Sequence, residues 1–136
     1  MNLAVVGTGY VGLVSGTCFA ESGNEVICVD IDRSRIEALA AGAIPIYEPG
    51  LEELVRRNMK DRRLSFTCDL DMAVAQSMVS FVTVGTPMSS SGAADLSGVL
   101  TVSEDIARTA KDYHIIAIKS TVPVGTNDQV RERVRR

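Results

Sequence analysis

The stretch VVGTGYVGLVSG at residues 5–16 places four glycines within twelve residues, close to the start of the chain. Glycine weakens both helices and strands, so this density needs a reason other than secondary-structure propensity. The run Leu3–Val6 before it is continuously apolar, as in a parallel strand that is buried on both faces. After the turn, apolar residues recur at helical spacing: Val11, Val14, Cys18 and Phe19. Gly23 lies where such a helix would end, so the sequence predicts a strand, a glycine turn and a helix.

This context gives three of the glycines separate tasks in binding a dinucleotide. We expect Gly7 to form the tight turn, Gly9 to let the backbone approach a pyrophosphate, and Gly12 to let helix and strand pack closely. The N-terminus of the helix adds unpaired N–H groups and the positive end of the helix dipole. Because the glycine pattern alone is a weak indication, the interpretation depends on the residues that follow.

Asp30 supports the interpretation most strongly, since it follows a second apolar run, Val26–Val29, and lies roughly 20 residues beyond the loop. A carboxylate there accepts hydrogen bonds from the adenosine ribose and repels the 2′-phosphate of NADP, so we predict NAD as the cofactor. Arg33 and Arg35 oppose this choice, because an arginine near the strand end can hold that phosphate. The alternative role for Asp30 is to cap the next helix, for which Asp32 competes.

The rest of the chain alternates strands with helices, which indicates an α/β fold with a right-handed, doubly wound parallel sheet of the Rossmann type. We predict a single NAD-binding domain over residues 1–136. Leu64–Thr67 alternates like an edge strand, Met78–Val84 is a further strand, and Ile115–Ile118 has the apolar run of a buried strand. Helices are predicted at residues 33–41, 51–60, 70–75, 96–111 and 127–136.

Charge and cysteine content exclude several classes of function. The net charge of −3 and the pI of about 5.1 argue against binding nucleic acid or a membrane surface through bulk charge. The N-terminus lacks the positive region of a signal peptide, and no apolar run reaches membrane-spanning length. The three cysteines and the single histidine lack metal-site spacing, so we expect no metal. Cys18 and Cys28 fit buried apolar positions, as in a reducing, cytoplasmic compartment.

Five motifs occur in order and at fitting separations: GTGYVGL at 7–13, VDID at 29–32, PIYEPGL at 45–51, VGTP at 84–87 and KSTVPVGT at 119–126. Together they resemble the N-terminal domain of the UDP-glucose/GDP-mannose dehydrogenase family over essentially the whole chain. The resemblance implies oxidation of a nucleotide sugar's C6 alcohol to a carboxylate in two NAD-dependent steps, through a thiohemiacetal and a thioester on a cysteine. PIYEPGLEELV at 45–55 and KSTVPVGT favour UDP-glucose, with GDP-mannose and UDP-N-acetylmannosamine as alternatives.

The resemblance also implies which residues bind NAD: Gly7, Gly9, Tyr10, Val11, Gly12, Asp30, Arg35, Thr86 and Thr121. Val11 would lie under the pyrophosphate, and Asp30 and Arg35 at the adenosine end. Thr86 and Thr121 follow two strands on the side where doubly wound folds bind ligands, and the resemblance places them beside the nicotinamide. For each threonine, capping the next segment or ending a turn is an equal alternative. Glu48 in PIYEPGL is a weaker candidate, for approaching the substrate.

In the family, the nucleophilic cysteine, its lysine and asparagine partners and most sugar-nucleotide contacts lie in downstream segments, so we assign no catalytic residue within residues 1–136. We therefore expect a piece of a longer protein, homodimeric at full length, with the oligomeric state of this chain alone left open. We expect this chain alone to bind NAD but not to turn over a nucleotide sugar. A non-catalytic NAD-sensing module on the same fold is the alternative function.

Overall fold

A computed structural model describes residues 1–135 and shows a parallel sheet between two layers of helices. The strands are β1 (Asn2–Val6), β2 (Glu25–Val29), β3 (Leu64–Thr67), β4 (Val79–Val82) and β5 (Ile115–Ile118). The helices are α1 (Tyr10–Glu21), α2 (Arg33–Ala40), α3 (Leu51–Lys60), α4 (Leu70–Ala75), α5 (Ser97–Thr109) and α6 (Thr126–Val134). Each pair of neighbouring strands is parallel, and the order is β3-β2-β1-β4-β5. The predicted doubly wound sheet is confirmed.

The strand order reverses between β1 and β4. From β1 the chain adds β2 and then β3 on one side, and it returns past β1 to add β4 and β5 on the other. Ligands of open α/β sheets bind outside the carboxyl ends of the strands at such a reversal. The topology therefore places the candidate site above the ends of β1 and β4.

Alternate residues of β1 face opposite layers, because successive side chains of a strand point to opposite faces. Leu3 and Val5 belong to one buried cluster, and Ala4 and Val6 to the other. The first cluster takes its helical residues from α1, α2 and α3: Leu13, Ala20, Leu39, Leu51 and Val55. The second takes them from α4, α5 and α6: Ala73, Val74, Val99, Ile106 and Val130. This double burial explains why β1 has no polar alternation.

The buried face of α1 agrees with the predicted one only in part, since Val14 and Phe19 pack against the first cluster as expected. The fully buried residues of the helix are Gly12, Leu13, Gly16, Thr17 and Ala20, whereas Val11 and Cys18 are exposed. The helix turns its glycines inward because its backbone runs close to the sheet, so that a Cβ on Gly16 would lie 2.7 Å from Cys28 Sγ. The expectation of a buried Cys18 is therefore wrong, and the same expectation for Cys28 is confirmed.

Strand β5 also departs from its prediction. It pairs only with β4 within residues 1–135, so it is an edge strand, and Ile115 is 44% exposed. The apolar run Ile115–Ile118 indicated a strand correctly but could not indicate whether a neighbour covers it. The predicted edge position of Leu64–Thr67 is confirmed by β3.

The helix and strand ends differ from prediction by a few residues. The predicted strand Met78–Val84 ends early, at Val82, and α6 ends at Val134, while the predicted end at Arg136 lies outside the described residues. The cap of α2 matches the prediction, because Asp32 Oδ1 accepts the N–H of Arg35 at 3.1 Å. In the part of the chain that the structure describes, no helix has both the length and the apolar character needed to cross a membrane.

Candidate functional site

One cavity of about 840 Å³ opens along the carboxyl ends of the strands. This volume falls within the roughly 300–1,000 Å³ typical of ligand and cofactor pockets. Its lining includes eight of the nine residues predicted to bind NAD: Gly7, Gly9, Tyr10, Val11, Asp30, Arg35, Thr86 and Thr121. Gly12 is buried beneath them, against the backbone of Gly7. The structure thus brings the predicted residues together around one space.

The three loop glycines meet different surroundings. Gly7 has a φ of +105°, which favours glycine, and its N–H donates to Val29 O at 2.7 Å. A Cβ on Gly12 would lie 1.7 Å from Gly7 O, so only glycine lets α1 pack this closely. A Cβ on Gly9 would meet no atom of the described residues within 4 Å and would project into open space. The predicted turn at Gly7 and close packing at Gly12 are therefore present.

The start of α1 is suited to an anion. Gly9 is the N-cap and has no side chain with which to accept the N–H groups of the first turn. These groups have no partner within a helix, and the positive end of the helix dipole adds to their attraction for an anion. Tyr10 and Val11, the first two helical residues, line the cavity. The open space over Gly9 and these free donors fit a pyrophosphate.

Asp30 lies at the end of β2, where its carboxylate is held by four hydrogen bonds. Oδ2 accepts from the Thr8 N–H at 2.9 Å, the Thr8 hydroxyl at 2.8 Å and Arg35 Nη1 at 3.3 Å, and Oδ1 accepts from the Asp32 N–H at 3.0 Å. Partial burial raises the pKa of Asp30, but the donors on Asp32 and Thr8 and the charge of Arg35 outweigh it and hold the pKa below its ordinary value of 3.8. Asp30 is therefore an anion at neutral pH.

The remaining acceptor capacity of Asp30 is on Oδ1. An ionised carboxylate has about four lone-pair sites, and Oδ1 accepts a single donor among the described residues. That atom can accept a ribose hydroxyl while Oδ2 keeps its contacts with Thr8. Because Asp32 supplies the cap of α2, the capping alternative for Asp30 is not needed. The residues present at this end fit the adenosine half of NAD.

Thr86 and Thr121 meet at the other end of the cavity. The hydroxyl of Thr86 donates to Thr121 O at 2.8 Å, and the hydroxyl of Ser120 donates to Val84 O at 2.6 Å. These bonds join the segments that follow β4 and β5. The turn-forming alternative for Thr86 is thus realised in part, and contact with the nicotinamide stays a prediction for both threonines.

Two buried threonines that sequence reasoning missed support the loop. Thr8 is 1% exposed and gives both its N–H and its hydroxyl to Asp30. Thr83 is 8% exposed, and its hydroxyl lies 2.9 Å from Val6 O and 2.8 Å from Gly7 O. The available signal was a threonine within two residues of the end of an apolar run, but its hydrogen-bond partners are set by tertiary structure.

The cysteines lie away from the end of the cavity that Thr86 and Thr121 form. Burial raises the pKa of Cys28 to about 12. Cys18 is exposed on α1. Cys68 lines the cavity near Asp30, because the Asp30 N–H donates at 3.2 Å to the carbonyl oxygen of Thr67, the residue before Cys68. Within residues 1–135, no group of three His, Cys, Asp or Glu side chains is arranged to hold a metal ion.

Comparison with known proteins identifies the family of the chain. The sequence profile described as "UDP-glucose/GDP-mannose dehydrogenase family, NAD binding domain" matches residues 1–136. The UDP-glucose 6-dehydrogenase TuaD of Bacillus subtilis (strain 168) is 53% identical over 135 residues, which are 99% of this chain and 29% of that protein. The UDP-glucose 6-dehydrogenase of Rhizobium meliloti (strain 1021) is 50% identical over 136 residues, 99% of this chain and 31% of that protein.

A solved structure gives the same relationship. The UDP-glucose dehydrogenase from the hyperthermophilic archaeon Pyrobaculum islandicum matches with a TM-score of 0.93 and 40% identity, over 98% of this chain and 32% of that one. The chain therefore spans about a third of the length of these relatives. It belongs to the UDP-glucose/GDP-mannose dehydrogenase family, in which it corresponds to the NAD-binding domain.

Proposed function

We propose that this chain binds NAD as the cofactor half of a nucleotide-sugar dehydrogenase that oxidises UDP-glucose to UDP-glucuronate in two steps. The observation that carries the proposal is the single cavity in which Asp30, the glycine loop and the pair Thr86–Thr121 follow one another along the strand ends. The choice of UDP-glucose is supported by the names of the two relatives at 53% and 50% identity. GDP-mannose, the other sugar in the family description, is the alternative substrate.

The residues of the cavity divide the work of holding the cofactor. NAD, when bound, accepts the hydride. Asp30 Oδ1 accepts from the adenosine ribose, and the N–H groups at the start of α1 hold the pyrophosphate over Gly9. Thr86 and Thr121 then border the nicotinamide half, and Arg35 stays at the adenosine end with its ion pair to Asp30.

Other parts of the complete protein supply the chemistry at the sugar. Cys28 is buried with a raised pKa, and Cys68 is at the adenosine end, so neither is placed to attack a C6 aldehyde beside the nicotinamide. We therefore propose that residues 1–136 are one domain of a longer cytoplasmic enzyme, whose nucleophilic cysteine lies downstream. We further propose that this enzyme is a homodimer.

Calorimetric titration with NAD and NADP tests the cofactor assignment. We expect the wild-type chain to prefer NAD, because a 2′-phosphate would meet the Asp30 carboxylate. Asp30→Ala removes a charged acceptor worth roughly 1.5–3 kcal/mol, so it should weaken NAD binding by roughly ten- to a hundredfold and reduce the preference. Asp32→Ala is the matched control, since it removes a nearby carboxylate that caps α2. Equal binding of NAD and NADP by the wild type would contradict the proposal.

NADH absorbance at 340 nm tests the division of labour. With NAD and UDP-glucose, this chain alone should give no sustained signal, while the complete protein should give two NADH per sugar. A complete protein that oxidised GDP-mannose instead would replace the proposed substrate and leave the cofactor site unchanged. A complete protein that bound NAD and oxidised no nucleotide sugar would support the NAD-sensing alternative.

A further inference from the structure

A hydrogen bond between two side chains joins the phosphate loop to a distant loop. The Tyr10 hydroxyl donates to Glu48 Oε2 at 2.5 Å, across 38 residues of sequence. Tyr10 is the first residue of α1 and lines the cavity, whereas Glu48 lies in the proline-containing segment 44–50 between α2 and α3. The pair therefore connects a wall of the cofactor cavity to a segment outside it.

The exposure of Tyr10 shows why its ring needs a partner. The residue is 54% exposed, and a tyrosine in the first turn of a helix can turn towards solvent unless a partner holds it. A charged acceptor for its hydroxyl supplies such a partner. The hydrogen bond to Glu48, followed by the charge of that carboxylate, raises the pKa of Tyr10 above its ordinary value of 10.0. The phenol thus keeps its proton, and therefore the bond, at physiological pH.

Segment 44–50 is anchored well enough to hold Tyr10. Ile44 and Ile46 pack against the buried cluster that contains Leu51 of α3, and the backbone carbonyl of Glu48 accepts the N–H of Leu51 at 3.0 Å. Ile44, Ile46 and Glu48 are all half-buried and alternate with exposed residues, so Glu48 lies on the same side of the segment as the two anchored isoleucines, the side that faces the body of the domain. Glu48 acts from a fixed position, so the bond restrains Tyr10 more than it restrains the segment.

We propose that Glu48 is a positioning residue for NAD that acts through Tyr10, by holding its ring as a wall of the cavity before the cofactor arrives. This inference rests on the proposed function, because it takes NAD as the occupant. A side chain that is already ordered loses less conformational entropy on binding, and the affinity is higher by that difference. The bond also occupies the hydroxyl proton of Tyr10, so the residue serves the cofactor with its ring and backbone N–H.

A double-mutant cycle on NAD affinity tests the inference. Glu48→Ala and Tyr10→Phe each break the bond, and each should raise the Kd for NAD by roughly three- to tenfold. The double variant should be no weaker than the worse single variant, because both changes act through one bond. Glu48→Gln keeps an acceptor and should restore most of the affinity. Tyr47→Phe, which alters an adjacent tyrosine that is 94% exposed, is the control and should bind as the wild type does.

Phenol titration at 295 nm reports the bond without NAD. Replacing Glu48 by alanine should lower the Tyr10 pKa, with the Tyr10→Phe spectrum used to subtract Tyr47 and Tyr113. An unchanged Kd in Glu48→Ala, or additive losses in the cycle, would overturn the inference. Failure of the wild type to bind NAD would instead refute the proposed function. Thermal melts of each variant separate a loss of folding from a loss of affinity. If Glu48→Ala fails to fold, the NAD affinity of Glu48→Gln, which keeps an acceptor, tests the inference instead.

Discussion

The contrast between Gly9 and Gly12 gives the sharpest test of the phosphate loop. Both belong to the same glycine motif, and alanine adds the same single methyl group at each. At Gly9 that methyl meets no described atom within 4 Å. At Gly12 it lies 1.7 Å from Gly7 O and 2.6 Å from Thr83 Oγ1. The two variants should therefore fail in different ways.

The expected magnitudes follow from these distances. Gly9 has a φ of −68° and a ψ of −167°, which any residue adopts, so Gly9→Ala should cost less than about 1 kcal/mol of stability as a weaker N-cap. Its methyl instead fills the space proposed for the pyrophosphate. In Gly12→Ala, the new Cβ would lie more than 1 Å closer to Gly7 O than van der Waals contact allows. Helix α1 must therefore move away from Gly7 by about that distance. We expect a loss at or above the upper end of the roughly 1–3 kcal/mol typical of overpacking.

Thermal melts and NAD calorimetry on both variants make the measurement. Gly12→Ala should lower Tm by roughly 10 °C or more for a chain of this size. Gly9→Ala should keep Tm within roughly 4 °C of the wild type and lose at least about tenfold in NAD affinity. A Gly9 variant that melts early but binds NAD, beside a Gly12 variant that is stable but does not bind, would refute the assignment of roles.

Three further predictions concern other residues. A thiol reagent at neutral pH should modify Cys18 and Cys68 but not Cys28, and NAD should protect Cys68 alone. Equal modification of Cys68 with and without NAD, measured by mass spectrometry, would contradict its place in the site. Thr83→Val should lower Tm and NAD affinity while Thr83→Ser retains both, because the hydroxyl holds the Gly7 carbonyl, and equal loss in both variants would show that the methyl matters instead. Arg62 is a non-glycine residue with a φ of 58° just after α3. Its replacement by glycine should raise the free energy of unfolding in urea by roughly 0.5–1 kcal/mol, and a lower value would show that the arginine side chain stabilises the fold.

The glycine loop was predictable because its constraints are local. Gly7 has a positive φ, and Gly12 leaves no room for a side chain between α1 and Gly7. A strand and a helix on either side of the motif are therefore enough to predict the turn and its packing. Asp30 was predictable for the same reason, since its position at the carboxyl end of β2 depends only on where the apolar run of that strand ends. These are features of adjacent segments, and sequence spacing records them.

Features that depend on distant segments were not predictable. Hydropathy predicts Val11 and Cys18 on the buried face of α1 together with Val14 and Phe19. Val11 and Cys18 are exposed instead, and Gly12 and Gly16 are buried because the sheet lies close to the helix backbone. The apolar run of β5 does not reveal that the strand has a neighbour on one side only. Thr83 reaches the carbonyls of Val6 and Gly7 through strand pairing across 76 or more residues. In each case the missing information was which segment packs alongside.

In the proposed function this chain supplies the cofactor half of an active site. The carboxylate of Asp30 and the helix N-terminus are fixed by the fold, through Thr8 and the packing of Gly12, so they require no rearrangement to hold a cofactor. The opposite end offers the hydroxyl of Thr86, which is already engaged with Thr121 O. Placement of reacting groups can account for about 7–11 kcal/mol of a reaction barrier. A domain that orders the cofactor without a nucleophile beside it should therefore bind NAD tightly and leave the oxidation rate near its uncatalysed value until the rest of the protein brings the sugar to the nicotinamide.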